Sequence, residues 1–326
     1  MLVTLELKKR MIKVKFVDFS SDAIKNKTMQ ILQNNFSEVI ESDKPDFLFY
    51  SVFGYEHLKY DCVRIFWTGE NIQPDFNICD YAIGFSYMSY EDRYVRVPLY
   101  YFYENDYQRA LKKYLIDDKE LEKKQKFCNY IYSNNNADRK REEFFWLLSQ
   151  YKKVDSGGRH LNNIGGSVND KYLFQKDFKF SIAFENSSTS GYTTEKILQA
   201  FAAETVPIYW GNPNVGRDFN EKAFINCHNY NSFEDVVGEI KKIDQDYELF
   251  RRYLKEPIGT YEQFPEDPLE KYSKFIISVC RQKPENAFRR NNLLIGERYQ
   301  REQREFRFDK NKESFWEKLK TALKSK

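Results

Sequence analysis

The chain has 326 residues, 41% of them hydrophobic and 31% charged, an ordinary soluble composition with length enough for two domains. Its net charge of +3 hides an asymmetry: residues 281–326 hold 14 Lys or Arg against 7 Asp or Glu, so the rest of the chain is slightly acidic. A basic excess confined to one end, with no helix-turn-helix or aromatic RNP motif, excludes nucleic-acid binding as the main function and points the tail toward an anionic surface. Five cysteines without a CxxC and three histidines at no metal-ligand spacing exclude a disulfide framework and a zinc site.

In chain order, Met11–Phe19 alternates as a first strand and residues 22–35 repeat as an amphipathic helix. DFLFYSVFG, ending at Gly54, and Val63–Trp67 read as buried strands, the second running into Thr68-Gly69-Glu70-Asn71. Tyr81–Phe85 and Val95–Phe102 are further strands, and Asp106–Leu115 a helix. Alternating strands and helices to residue 118 give a first α/β domain, and the charged run Asp117–Lys126 marks its boundary. A second α/β domain spans 119–284. It opens with strand Phe127–Tyr132 and helix Arg139–Tyr151, followed by a Gly-rich loop at 156–166. Strand Ala223–Cys227 and helices Ser232–Ile243, Tyr247–Leu254 and 269–281 complete it. Residues 285–326 form a basic, helical tail. The N-terminal MLVTLELKKRMIKVKF lacks an apolar signal core and no run approaches transmembrane length, so a cytoplasmic location is expected.

The most informative stretch is Phe178–Gly211, FKFSIAFENSSTSGYTTEKILQAFAAETVPIYWG. Phe178, Phe180, Ile182 and Phe184 alternate with Lys179, Ser181 and Ala183 as a strand. A polar loop from Glu185 to Tyr192 follows, then Thr193 or Thr194 as a helix cap, a helix with Ile197, Leu198 and Phe201 on its apolar face, and a second strand through Val206, Ile208 and Trp210. This is a parallel crossover, and its loop lies beyond a strand's carboxyl end at a helix N-terminus, where open α/β sheets bind phosphates. Lys196 sits in the first helical turn, where the dipole disfavours a cation, so it needs an anion to face.

Two fixed cations, Arg141 and Lys196, each at the start of a helix, suit a departing diphosphate that gains negative charge. Gly157, Gly158, Gly165 and Gly166 permit close backbone approach, although neither Walker nor GxGxxG patterns are present. Glu185 and Glu195 flank the ligand loop, and Asn186 offers a short polar side chain for ribose hydroxyls. Tyr192 either packs over a base or sugar or staples the loop. Glu70, at the mouth of a buried strand, is placed to act as a general base, although a solvated turn residue is the simpler local account. Asp244-Gln245-Asp246, the only Asp-x-Asp, falls between two helical patterns and reads as a helix-turn cap rather than a metal site.

FENSSTSGYTTEKI with VPIYWGNP, the upstream SGGRHLNNIGG, and WTGENIQPDFNICDYAIGF with RVPLYYFY together resemble the bacterial α-1,3-fucosyltransferases, a family with Helicobacter-type and, more distantly, animal Lewis-type members. The resemblance covers roughly residues 60–230. It implies a GT-B architecture, with two Rossmann-like domains facing across a cleft. It implies inverting transfer of L-fucose from GDP-β-L-fucose to a hydroxyl, O3 of N-acetylglucosamine in N-acetyllactosamine-type glycans, by a single displacement. It assigns Glu70 as base, Arg141 and Lys196 to the diphosphate, Asn186 and Glu195 to ribose or fucose, and Tyr192 to the donor pocket. No cofactor beyond the donor substrate is implied, and a metal is dispensable when cations stabilise the leaving group.

The chain departs from the Helicobacter pattern in lacking heptad repeats before the tail. In the tail Phe315, Trp316, Leu319 and Leu323 fall on one helical face with lysines elsewhere, which suits a helix lying on anionic lipid, peripheral to the inner face of a bacterial membrane. Two other readings stay open: a GT-B enzyme with another nucleotide sugar, and an inactive glycan- or nucleotide-binding module. Intact Glu70, Arg141, Glu195 and Lys196 weigh against the second.

Overall fold

A computed structural model describes residues 10–260 and 263–308. The first strands are β1 (Met11–Val17), β2 (Glu38–Glu41), β3 (Phe47–Tyr50), β4 (Val63–Trp67), β5 (Tyr81–Gly84) and β6 (Tyr94–Arg96), with helix α1 (Ala23–Asn35) crossing from β1 to β2. They form one sheet, ordered β2-β1-β3-β4-β5-β6, and every pairing is parallel. Parallel central strands are covered on both faces, so they read as continuous apolar runs: all of VRIFW in β4 is buried.

The chain then builds a second sheet from β7 (Lys126–Tyr130), β8 (Val154–Ser156), β9 (Phe178–Phe184), β10 (Val206–Trp210) and β11 (Ile225–Asn226), ordered β11-β10-β9-β7-β8, again wholly parallel. Its helices are α2 (Glu104–Leu111), α3 (Asp118–Glu122), α4 (Lys140–Ser149), α5 (Lys171–Lys176), α6 (Glu195–Ala202), α7 (Phe233–Gln245) and α8 (Tyr247–Lys255). Two cores sandwich this sheet. Phe180, Ile182 and Phe184 pack with Phe144, Trp210 and Val236 on one face. Ala183 and Tyr209 pack with Ile197, Leu198 and Phe201 on the other. The alternation in β9 therefore separates two buried faces rather than core from solvent.

The last described helices, α9 (Glu270–Arg281), α10 (Pro284–Ala287) and α11 (Ile295–Phe308), return to the first sheet. The chain thus divides into one unit comprising the chain up to Gly84, Met88–Val97 and the chain from Glu270 onward, and another comprising Phe85–Tyr87 and Pro98–Leu269. This revises the expected boundaries at 118 and 284. The charged run at 117–126 lies inside the second unit, where Asp117 caps α3 by accepting from the Lys119 N–H.

Residues 285–308 are likewise not a separate tail. Arg290 is 3% exposed and pairs with the fully buried carboxylate of Asp80. Asp80 also accepts the backbone N–H groups of Arg64, Arg289 and Arg290 at 2.8–2.9 Å. The Tyr299 hydroxyl donates to Asp75 at 2.7 Å. Part of the basic excess is therefore internal neutralisation. The amphipathic segment around Phe315–Leu323 lies outside the described residues.

Smaller differences have local causes. β3 stops at Tyr50 because the Phe53 N–H turns back to the Asp18 carbonyl at 3.0 Å. Pro98, which cannot donate to a ladder, separates β6 from a single 3₁₀ turn at Leu99–Phe102. The short elements β2, β8 and α5 carry too few residues to show a period. Asp246 caps α8 by accepting from the Leu249 N–H, and Asp244 pairs with Lys152 and Lys179, so both ends of the Asp-x-Asp are structural. All five cysteines are free. Among the described residues no helix is long and apolar enough to cross a membrane.

Candidate active site

In the second sheet the strand order reverses direction between β7 and β9, and the loops leaving these strands border the crevice where open α/β sheets take ligands. Arg141 spans that crevice. Its Nη2 donates to the Asn134 carbonyl after β7, and its Nη1 donates to Asn186 Oδ1 after β9 at 3.2 Å. Its guanidinium stacks on Tyr132, 4.3 Å from the ring centroid, and the residue is only 1% exposed. The guanidinium also acts on the buried Tyr130 hydroxyl, opposing the rise that burial gives that phenol. Tyr132, which the sequence did not single out, fixes the end of β9: its hydroxyl lies 3.0 Å from the carbonyls of Ile182 and Phe184 and accepts the Phe184 N–H at 2.7 Å. Burial drives its phenol far above the ordinary range, with Arg141 and Lys196 pulling against that, so both cations act at this one ring.

Lys196 faces an anion, and that anion belongs to the protein. Glu185, at the end of β9, is 0% exposed and lies 3.2 Å from the Lys196 Nζ. Its carboxylate also accepts the Thr194 N–H and the Thr194 hydroxyl, both at 2.7 Å. Thr194 is the N-cap of α6, but its hydroxyl is spent on Glu185 rather than on the helix, so a buried carboxylate occupies the dipole end. Glu195 is 3.5 Å from the same ammonium. Burial raises the Glu185 pKa, with Lys196 opposing. Burial would lower Lys196, and the two carboxylates overcome it, leaving the lysine raised and charged. Glu195 is lowered: Lys196 and Lys171 outweigh its desolvation. The Lys196 side chain keeps 15% exposure, so its charge still reaches solvent.

Asn186 is bound through both its side chain and its carbonyl, which accepts the Asp138 N–H at 2.8 Å. Tyr192 is 2% exposed, edge-on to Phe85 with centroids 5.1 Å apart, so it staples the loop rather than lining an open pocket. The loop is pinned from below by Asn212, fully buried, which accepts the Gly191 N–H at 2.8 Å and donates to Thr193 Oγ1 at 3.0 Å. In the Gly-rich loop, a Cβ on Gly158 would sit 2.0 Å from the Tyr132 carbonyl oxygen, so that glycine serves the protein's own packing. Glu70 belongs to the first unit. Its side chain is exposed on a turn held by Thr68, whose hydroxyl accepts the Glu70 N–H at 2.9 Å and donates to the Glu70 carbonyl at 3.1 Å. The sequence placed Arg141, Asn186, Glu195 and Lys196 around one crevice and missed the central part of Glu185. A lone Glu closing an otherwise apolar strand was the available signal.

Two parallel-sheet α/β units, one with a cation-bearing crevice at its switch point, define the GT-B class of fold. Residues 14–103 match the α-(1,3)-fucosyltransferase FucT N-terminal domain, and residues 121–282 match the C-terminal region of glycosyltransferase family 10 (fucosyltransferase). The chain is 34% identical over 242 residues to α-(1,3)-fucosyltransferase FucT of Helicobacter pylori, an alignment covering 65% of this chain and 50% of that protein. This chain therefore spans about half the length of that relative. A solved α1,3-fucosyltransferase superposes with a TM-score of 0.74 at 27% identity, covering 88% of this chain and 94% of the other. An α1,3-fucosyltransferase solved with GDP-fucose gives 0.67 at 27% identity, covering 82% and 91%. The chain belongs to the fucosyltransferase family, glycosyltransferase family 10.

Proposed function

We propose that the protein transfers L-fucose from GDP-β-L-fucose to a hydroxyl of a galactose- and N-acetylglucosamine-containing glycan, forming an α-1,3 linkage with inversion. The observation that carries this reading is the crevice between β7 and β9. Buried Arg141 crosses it, and a charged Lys196 stands at the N-terminus of α6. Those groups suit a nucleoside diphosphate, and solved relatives hold GDP-fucose or GDP.

Glu70 takes the proton from the acceptor hydroxyl, and its oxygen attacks the fucose anomeric carbon opposite the diphosphate. The bond from that carbon to the β-phosphate oxygen breaks, and its electrons leave with GDP. The transition state has oxocarbenium character, as in glycoside hydrolysis. Lys196 and Arg141 stabilise the charge gathering on the diphosphate, so no metal is required for that task. Glu195 and Asn186 bind ribose or fucose hydroxyls. The basic C-terminal stretch holds the protein at the cytoplasmic face of an anionic membrane.

The test is release of GDP from GDP-fucose in the presence of N-acetyllactosamine with EDTA added, with the product linkage read by NMR. Turnover with a different nucleotide sugar and none with GDP-fucose refutes the donor assignment.

A further inference from the structure

The first sheet has its own switch point, between β1 and β3, where the crossover from β1 runs to β2 and that from β3 runs to β4. One strand over from it, a cavity of about 370 Å³ opens between the ends of β3 and β4, bordered by the loops after those strands and by α11. That volume is toward the small end of ligand pockets, roughly 300–1,000 Å³.

One wall is built with unusual care. Asp18, the residue after β1, adopts a left-handed backbone with φ 61°. From there its buried carboxylate accepts the N–H groups of Glu56 and His57, both at 3.0 Å, and contacts His57 Nδ1 at 2.7 Å. Gly54 lets this happen, since a Cβ there would lie 2.3 Å from Asp18 Oδ1. The result is a His57 ring fixed flat against Tyr50, with centroids 4.1 Å apart and planes at 18°. Residues in sparsely populated backbone regions persist where surrounding contacts hold them, and they cluster at functional sites.

The interior also holds an unanswered polar group. Ser51 is 2% exposed, lines the cavity, and its Oγ has no hydrogen-bond partner among the described residues. A buried hydroxyl left unpaired is unfavourable, so a ligand hydroxyl arriving there is favoured. At the mouth, Tyr55 is 46% exposed and Ile72 52%, and the Arg307 guanidinium stacks on Tyr55 at 4.0 Å. The lining therefore offers aromatic faces beside neutral polar groups. Among the described residues it has one arginine, already stacked, and one carboxylate, Asp75, so a phosphate is poorly matched. Ile72 stands two residues beyond Glu70 in the same loop.

We propose that this cavity binds a neutral pyranose of the acceptor glycan, with Ser51 meeting a ring hydroxyl and Tyr55 covering an apolar sugar face, and that α11 serves as its outer wall. The assignment rests on the fucosyl-transfer reading and names the residues that select its acceptor. Tyr55→Ala and Arg307→Ala alter the exposed rim, and Ser51→Val removes the interior hydroxyl.

The expected result is an acceptor KM raised about tenfold or more in Tyr55→Ala and Ser51→Val, with the KM for GDP-fucose within about twofold of wild type. Saturation-transfer NMR with N-acetyllactosamine and no donor should show contact in the wild type and lose it in Tyr55→Ala. That measurement needs no catalysis, and Arg307→Ala tests the helix wall if an interior variant fails to fold. Transfer by the wild type with an unchanged acceptor KM in all three variants overturns the pocket assignment and leaves fucosyl transfer standing. Wild-type contact with N-acetyllactosamine, lost in Tyr55→Ala, without any turnover of GDP-fucose supports the pocket and refutes the parent reading.

Discussion

Replacing Lys196 by Met separates the two tasks assigned to this lysine. The substitution removes the ammonium but keeps an unbranched stem. It leaves Glu185, which is 0% exposed, without its 3.2 Å cation. Breaking a buried pair by removing one partner costs about 3–5 kcal/mol. The lower figure applies, since Glu185 retains two 2.7 Å hydrogen bonds from Thr194. Loss of Lys196 also removes the strongest influence opposing the raised Glu185 pKa, so the carboxyl binds a proton more readily in the folded state than in the unfolded one. With more protons on the folded state, stability falls as pH rises, so the single variant loses ground from pH 5 to pH 8 more steeply than wild type. Glu185→Gln added to Lys196→Met removes the orphaned charge while an amide can still serve Thr194, and about half or more of the lost stability should return. GDP affinity should not return: a charge-assisted bond to phosphate is worth about 1.5–3 kcal/mol, or roughly 10- to 150-fold in Kd. Urea midpoints at the two pH values and calorimetric titration with GDP measure both quantities. A double variant that binds GDP as tightly as wild type removes Lys196 from the donor site. A single variant as stable as wild type at pH 8 refutes the account of Glu185.

Glu70→Gln should cost about 10²–10⁴-fold in transfer rate with GDP affinity unchanged, because a general base acts only in the chemical step; a variant with wild-type turnover excludes Glu70 as base. Lys113 is 1% exposed, and its ammonium donates to the carbonyls of Tyr253, Leu254 and Glu256 at 2.9–3.0 Å. Burial lowers its pKa to about 7, so above that pH the unfolded state holds the extra proton and stability rises with pH. Wild type should gain up to about 1.4 kcal/mol per pH unit from this group between pH 7 and 9, and Lys113→Met should lack that gain. Parallel urea profiles for the two proteins would contradict it. Truncation after residue 308 should abolish sedimentation with vesicles of anionic lipid while sparing activity on soluble acceptors. Undiminished sedimentation would place the membrane contact elsewhere.

Sheet strands with strong apolar runs were legible in the sequence: Val63–Trp67 and the whole crossover from Phe178 to Trp210 lie where periodicity places them. The switch-point cations were legible too, because a lysine opposing a helix dipole is a local anomaly that any single sequence displays. Its partner was harder to see, since Glu185 and Lys196 are joined by folding of a loop whose polar residues carry no period. The unit boundary was misplaced for a related reason. A charged run looks like a linker, whereas Asp117 is simply a helix cap, and the segments joining the units near Gly84 and Val97 are as apolar as the strands around them. Return of the C-terminal helices to the first sheet rests on contacts between residues far apart in sequence, Thr28 with Tyr272, Asp75 with Tyr299 and above all the buried pair of Asp80 with Arg290, which no window-based reading can register.

That buried pair also sets an order of events during synthesis. Asp80 is made 210 residues before Arg290, so the first sheet waits with this carboxylate lacking its cation while most of the second unit, contiguous from Pro98 to Leu269, emerges and can fold by itself. The unit translated first is therefore the one completed last. A nascent chain halted anywhere before Arg290 can complete its second sheet while its first sheet still lacks this counter-ion.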